Sequence, residues 1–419
     1  MRENQRQMTA ARPADLKLNN RRQILELFKS GSMLSVGGIA REVGISRQTV
    51  MKAVQFYLEK GIVVSAGKAA SGSMGGKRAE LYRLSADLLL FNVLICPDYL
   101  YVALFSFGGD VLDSREYPNI AELGIDAIIE RAGNICHEIL QKLGISIASI
   151  RGVCVTMPGI VDRETNRLRY NSLFPAWGKD VPIAEKLSAY FENGTLILTE
   201  NVAKVCGSSY RHDERCARGR VATVFSGWGG IAACMMKRGH IMNGKGALIG
   251  EIGHMTLDPT DDEVCGCGCR GCFERQVSRE RIQRRIREAR AEYPDSTLFN
   301  GPVEALTLRD VFDASRAGDA LARSLSEYAG RCFAQALRNL TLTFNPDWVI
   351  FQGDYSAADL TFRQTMHQEL MRFRYYDISK GENCPFALTM DERSIQSLST
   401  LGAYTLLIDR LFDDNAVYL

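Results

Sequence analysis

Between Gly250 and Gln276 the chain reads GEIGHMTLDPTDDEVCGCGCRGCFERQ, and five side chains there can bind a soft metal: His254, Cys265, Cys267, Cys269 and Cys272. Thiolates and a neutral imidazole at short spacing are the donors of a tetrahedral zinc site. Gly266, Gly268 and Gly271 alternate with the cysteines, so the backbone can turn tightly enough to gather the sulfurs. His254, Cys265, Cys267 and Cys272 make a Cys3His set, which is closed and structural. Cys269 is then a spare, or a competitor for one place. An iron–sulfur cluster would prefer four thiolates without a histidine. Free cysteines in a loop are the plain alternative.

These donors need a body to hold them. A chain of 419 residues is too long for one compact core, so two or three domains are expected. Its composition, 46% hydrophobic and 24% charged, is that of a globular protein. The most apolar stretch, around Leu88 to Cys96, is short and interrupted by Asn92, so no membrane-spanning helix is expected. The first residues lack the apolar core of a secretion signal. Twelve cysteines in such a chain point to the reducing cytoplasm, with thiols and metal rather than disulfides.

Charge is unevenly placed. Residues 1–84 hold 15 Lys and Arg against 6 Asp and Glu, while the remainder holds 36 against 43. A basic segment on an acidic body fits a nucleic-acid-binding module, although a solvated basic face would look the same. The segment carries a pattern as well. Asn20 to Lys29 reads as a helix with Ile24, Leu25, Leu27 and Phe28 inward. Ser35 can cap a second helix ending at Gly44, and Ser46 a third ending at Gly61, with Val50, Val54 and Leu58 for the core. Two short helices around a tight turn form a helix-turn-helix. Ser46, Arg47, Gln48, Thr49 and Lys52 then lie at the end of the second helix that reaches base edges. Strand-like runs Ile62–Ser65 and Glu80–Leu84 flank a Gly/Ser-rich loop bearing Lys77 and Arg78, a wing that can carry charge to phosphates. Double-stranded DNA is the expected partner.

From about Ser85 strands and helices alternate, which predicts an α/β body of mixed sheets with helices on both faces. Strands are expected near Ile150–Val155, Thr195–Thr199, Val221–Phe225 and Asp347–Phe351. Helices are expected at Ile125–Leu143, Ala320–Phe344 and Ser394–Phe412. The glycine cluster Ser226–Gly230 is either a cradle for a phosphate or sugar, or a tight hairpin. The basic run Ser278–Ala291 reads as a solvated helix face.

With these residues in view, the chain resembles the ROK family of bacterial repressors and sugar kinases. Glu251-Ile252-Gly253-His254 followed by C-x-C-G-x-x-G-C-x-E from Cys265 to Glu274 matches that family's zinc signature. Pro158-Gly159, Val161-Asp162, Asn345-Pro346 and Gly75-Gly76-Lys77-Arg78 fit its other markers. The resemblance implies a winged helix-turn-helix (1–84) before an actin-like, ribonuclease-H-like body. The first lobe would be 85–205, completed by 394–419, and the second lobe 206–393. A sugar would lie between the lobes against Asn171, Asn201, Glu251, His254 and Glu274, with His254 shared between sugar and structural zinc.

The resemblance also implies where a kinase would keep its machinery. The phosphate turn D-x-G-G-T reads Cys96-Pro97-Asp98-Tyr99-Leu100 here, and Pro97 removes an N–H donor. The run E-N-D-A-N reads Glu200-Asn201-Val202-Ala203-Lys204, which puts valine in place of the catalytic base. Phe225, Ile231 and Gln352-Gly353-Asp354 replace further glycines. The expectation is therefore a cytoplasmic, DNA-binding repressor of carbohydrate genes without kinase activity, the alternatives being a sugar kinase of this family with an attached DNA-binding domain and a regulator controlled by a protein partner. It would be a dimer or tetramer that responds to a sugar or sugar phosphate.

Overall fold

The structure, a computed structural model, describes residues 13–28, 32–69, 78–85, 87–375 and 386–413. The first part is a winged helix. Helices α1 (Pro13–Phe28), α2 (Val36–Val43) and α3 (Arg47–Glu59) pack beside strands β1 (Leu34–Ser35), β2 (Val63–Lys68) and β3 (Glu80–Leu84), in the sheet order β1-β3-β2. The caps are those the residue types dictate. Ser35 Oγ accepts from Gly38 N, Ser46 Oγ accepts from Thr49 N, and Gly44 closes α2 at φ +72°. Helix α1 begins seven residues before the expected Asn20 and ends at Phe28. Its Ile24, Leu25 and Phe28 are buried, with Leu27 only partly so. Ala53 and Tyr57 join Val50 and Val54 in the core, whereas Leu58 is half-buried. The wing strand β2 runs from Val63 rather than Ile62 and reaches Lys68; the glycines and Lys77 of the wing tip lie outside the described residues.

The body has two five-stranded sheets. The first orders its strands β11-β7-β4-β5-β6, from β4 (Leu89–Ile95), β5 (Tyr99–Ser106), β6 (Val111–Pro118), β7 (Ile150–Met157) and β11 (Leu196–Asn201). Helices α4 (Ile125–Leu143) and α5 (Ile183–Ser188) accompany it, and β8 (Ile160–Asp162), β9 (Arg167–Tyr170) and β10 (Val181–Pro182) form a small side sheet. The seven-residue α6 (Val202–Ser208) follows β11 directly, and α7 (Glu214–Arg218) leads to the second sheet. That sheet runs β14-β13-β12-β15-β16, from β12 (Arg220–Gly227), β13 (Gly230–Lys237), β14 (His240–Ile241), β15 (Trp348–Gly353) and β16 (Ala387–Asp391). Its helices are α8 (Phe273–Gln276), α9 (Arg279–Glu288), α10 (Leu308–Arg316), α11 (Ala320–Thr343) and α12 (Leu360–Met371), with Phe333, Phe351, Tyr355 and Phe362 meeting in their core. The closing helix α13 (Ile395–Asp413) returns to the first sheet. Among the described residues no helix is long and apolar enough to cross a membrane.

Helix α13 joins two parts of the molecule. Its Ala403, Leu406, Leu407, Ile408 and Phe412 share one core with Leu90, Phe105 and Leu198 of the first sheet and with Ile24, Leu25 and Phe28 of α1. Asn92, the polar interruption of an apolar strand, ties the layers from inside. Its amide donates to Ser399 Oγ at 3.0 Å and its carbonyl accepts from Thr156 Oγ1 at 2.9 Å. At Gly402 the helix crosses α6 so closely that a Cβ would sit 1.8 Å from the Val205 carbonyl oxygen. Gly207, further along α6, has the same relation to the second sheet, where a Cβ would lie 2.3 Å from Cys234 Cβ.

Gly402→Ala separates two effects. Helix propensity favours alanine by about 1 kcal/mol, but the contact forces two helices apart at a cost of about 1–3 kcal/mol or more. The variant should unfold at lower urea than the parent chain. An unchanged or raised midpoint would show that α6 and α13 are less tightly apposed.

Candidate functional site

The thiol loop is built by close backbone approaches. The Thr256–Cys272 and Val264–Arg270 bridges fold it into two narrow turns. Gly271 (φ +67°) lies against Asp258, where a Cβ would stand 1.7 Å from the carbonyl oxygen. The loop is fastened to α8 and α9: Glu263 pairs with Arg275, Arg281 and Arg284, and Asp261 with Gln276 and Arg281. The basic run on α9 is therefore not simply a solvated face. Arg281 is largely buried and serves this clamp, and the Arg285 guanidinium lies 3.7 Å from the Tyr328 ring centre. The burial follows from carboxylates that reach it from the thiol loop.

One donor atom from each of His254, Cys265, Cys267 and Cys272 lies within 4.8 Å of the others. Cys267 Sγ is 3.6 Å from Cys272 Sγ, and Cys265 Sγ is 3.6 Å from His254 Nδ1. Zinc–sulfur and zinc–nitrogen bonds of about 2.3 and 2.0–2.1 Å in a tetrahedron put such donors about 3.5–3.8 Å apart. The donor set therefore fits a tetrahedral zinc ion. Cys269 stands outside the four and is exposed.

His254 connects this cluster to a cleft. Its Nδ1 faces the sulfurs, while its Nε2 lies 3.9 Å from Glu251 Oε2. The cleft is a cavity of about 470 Å³ between the two sheets. Pro158, Gly159, Asn171, Asn201 and Val202 line it from the first sheet's side; Phe225, Trp228, Glu251, His254 and Glu274 line it from the second. All five expected sugar-contact residues are thus brought to one cavity. Its volume and mixed apolar and polar wall suit a small polar ligand.

Those five differ in what they have left to offer. The Asn171 carbonyl accepts from Leu173 N and Phe174 N, and its amide donates to Pro158 O at 3.2 Å. The Asn201 side chain caps α6 through Ala203 N and donates to Gly159 O, both at 2.8 Å. The two amides chiefly hold the wall in shape, with N–H donors to spare. Glu274 Oε2 accepts from Ile231 N at 3.4 Å, and Glu274 Oε1 accepts from Cys265 Sγ at 3.2 Å. Glu251 has no such hydrogen-bond partner among the described residues; burial pushes its carboxyl up to about 7, with Lys204 opposing and Glu274 adding. A carboxyl near neutrality can accept or donate toward a sugar hydroxyl. Trp228, Leu173, Leu248 and Cys269 also line the cleft; nothing local in the sequence marks them.

The kinase-motif positions also come together, as packing. Cys96, Val202, Ala203 and Phe225 are buried in one apolar cluster with Leu94, Cys206 and Leu398, flanked by Tyr99 and Trp228. Cys96 N donates to Tyr99 O at 2.9 Å, so Pro97 and Asp98 form the corner of a tight hairpin. The cluster Ser226–Gly230 is the hairpin of its two readings: Gly227 pairs with Gly230 around Trp228 (φ +52°) and Gly229 (φ +80°). Beyond this wall is a second cavity, of about 550 Å³, lined by three carboxylates, Glu280, Asp354 and Glu392, and by three guanidinium groups, Arg279, Arg309 and Arg393. Burial pushes the Asp354 carboxyl up to about 6, against the pull of Arg279. Arg279 itself donates to Leu306 O and Glu304 O, and Arg393 is held by Asp391. Glu200 lines neither cavity.

On the winged helix, Arg47, Gln48 and Lys52 are exposed along the N-terminal half of α3. The hydroxyls of Ser46 and Thr49 lie 2.9 Å apart and cap the helix, so they hold its end as well as facing outward. Arg78 is exposed at the start of the returning wing strand, and Lys77 lies outside the described residues.

The ROK family model matches residues 95–410. A glucokinase of Thermotoga maritima is 29% identical over 266 residues, covering 61% of this chain and 79% of that protein. A xylose repressor of Caldicellulosiruptor bescii is 23% identical over 375 residues, covering 87% of this chain and 91% of the repressor. The solved structure of a ROK family transcriptional regulator, described as a homologue of the Escherichia coli MLC protein, superposes with a TM-score of 0.77 at 19% identity, covering 96% of this chain and 99% of that one. The fold is thus a winged helix-turn-helix followed by a two-lobed, actin-like α/β body. The family match over three quarters of the length, together with the thiol signature at the cleft, establishes that this chain belongs to the ROK family.

Proposed function

We propose that the chain is a cytoplasmic transcriptional regulator, most simply a repressor of carbohydrate genes, that binds a DNA operator and responds to a sugar or sugar phosphate. In this reading residues 1–84 bind DNA. Residues 85–205 with 394–419 form the first lobe, and 206–393 form the second. The observation that carries it is the pairing of a winged helix with a cleft wall in which Cys96, Val202 and Phe225, residues that the resemblance sets at the kinases' phosphoryl-transfer positions, are buried in one apolar cluster. Val202 cannot accept a proton, and loss of a general base alone costs about two to four orders of magnitude in rate. The relatives named repressors support the regulatory reading.

Zinc would be held by His254, Cys265, Cys267 and Cys272. Bound there it would fix the imidazole, leaving Nε2 to a sugar hydroxyl beside Glu251. Asn171, Asn201 and Glu274 would complete the sugar site. Ser46, Arg47, Gln48, Thr49, Lys52, Lys77 and Arg78 would meet DNA, with a homodimer or homotetramer presenting two such helices to a palindromic site.

Mobility shift on the promoter region of its own gene should show a sequence-specific complex at moderate salt, and Gln48→Ala should weaken it by about 1–3 kcal/mol. The absence of any specific complex would defeat the reading. A glucokinase relative favours the enzymatic alternative, and a coupled ATP-consumption assay over a sugar panel decides it: no turnover above background is expected. Elemental analysis should find stoichiometric zinc, and Cys267→Ser should lose it and melt at lower temperature, because metal binding and folding are linked. A wild-type protein without zinc would remove the metal from the account.

A further inference from the structure

A third cavity, of about 950 Å³, lies on another side of the lobes and shares no lining residue with the cleft. Its walls come from three places: the β8–β9 hairpin with Arg163 and Arg169, the loop Asn243–Ala247 with Lys245, and α13 with Arg410. Lys204 of α6 also lines it. Two carboxylates line it too. Asp162 is occupied by Arg169 at 2.6 Å and by the backbone N–H of Glu164, and Glu164 points to solvent. Arg163, Lys245 and Arg410 make no ion pair or side-chain hydrogen bond with other described residues.

Lys204 is the unusual member. Its side chain is only 5% exposed, and its ion-pair partner is Glu200 at 3.9 Å, too long for a hydrogen bond. Glu200 Oε1 already accepts from Asn201 N at 2.8 Å. Lys204 and Arg163 both act on the buried Glu200 carboxyl, so one carboxyl faces two cations, and the space they border is lined by Lys245 and Arg410 as well. The loop opposite turns tightly: Gly246 (φ +88°) and Ala247 (φ +62°) are both left-handed, and Ala247 N donates to Gly244 O at 3.1 Å, which holds Lys245 at the tip of the turn.

We propose that this cavity binds a small phosphate ester, its phosphate set among Arg163, Lys204 and Lys245 and the rest of the ligand extending toward Arg410. The volume exceeds what a bare phosphate needs and fits a metabolite. A recessed lysine on α6 is out of reach of a duplex backbone, which favours a small molecule over DNA. Such a ligand would tie the first lobe, the second lobe and α13 together at a point separate from the sugar cleft. The proposal stands whether or not the cleft binds a sugar.

Calorimetric titration of the full-length, zinc-loaded protein with inorganic phosphate, at constant ionic strength, tests it. Saturable binding is expected. The Arg163→Ala/Lys245→Ala double variant should weaken it at least about tenfold without changing the melting temperature in chloride. Lys204→Gln should weaken it as well. Three outcomes would each overturn the proposal: heats no larger than those of chloride, equal phosphate binding by the double variant, or tighter binding of malonate than of phosphate. A double variant that loses operator affinity yet binds phosphate normally would assign the patch to DNA, and would overturn it too.

Discussion

Helix α6 is seven residues long, and all seven are buried. Its first turn, from Asn201 and Val202, is part of the cleft wall. Val205 meets Gly402 of the closing helix, and Gly207 meets the second sheet at Cys234. Both contacts are too close for a side chain larger than hydrogen, so α6 cannot shift without moving a neighbour. The closing helix in turn shares its core with the winged helix. A displacement at the cleft wall therefore has a continuous packed route to the winged helix, and close packing of this kind transmits displacement because it does not compress.

The two sides of the cleft are stiffened by different means. On the first lobe the Asn171 and Asn201 amides are tied to backbone groups, so the wall is held by hydrogen bonds within the chain. On the second, Glu251, His254 and Glu274 stand on a loop whose shape rests on glycine approaches, the Asp261 and Glu263 clamps, and the thiol cluster. Cys96, Val202 and Phe225 form an apolar seam between the two cavities. Burying that seam stabilises the closed wall, at roughly 25 cal/mol per Å² of apolar surface.

Much of this was readable from residue types because the causes are local. Ser35, Ser46 and Gly44 cap and stop their helices through their own side chains and backbone freedom. The four candidate metal donors fall within a short stretch whose glycines announce its turns. The α/β alternation of the body is likewise a matter of period. What the sequence did not reveal has distant causes. Helix α1 extends through polar residues because its later turns are anchored on α3 and α13. Arg281 is buried because two carboxylates of another loop reach it. The substitutions at Cys96, Val202 and Phe225 each read as a loss; only their convergence in space makes them one packed cluster. Nothing local in the sequence marks Lys204 as buried; that became evident only in the fold.

The claim that joins these observations is that occupancy of the cleft changes DNA affinity through α6 and the closing helix. Fluorescence anisotropy with labelled operator, repeated at saturation with a sugar that raises the melting temperature, measures it directly. The account predicts a change in operator Kd of at least about fivefold, as coupling energies of about 1–3 kcal/mol give. A sugar that binds the cleft and leaves operator affinity unchanged would contradict it.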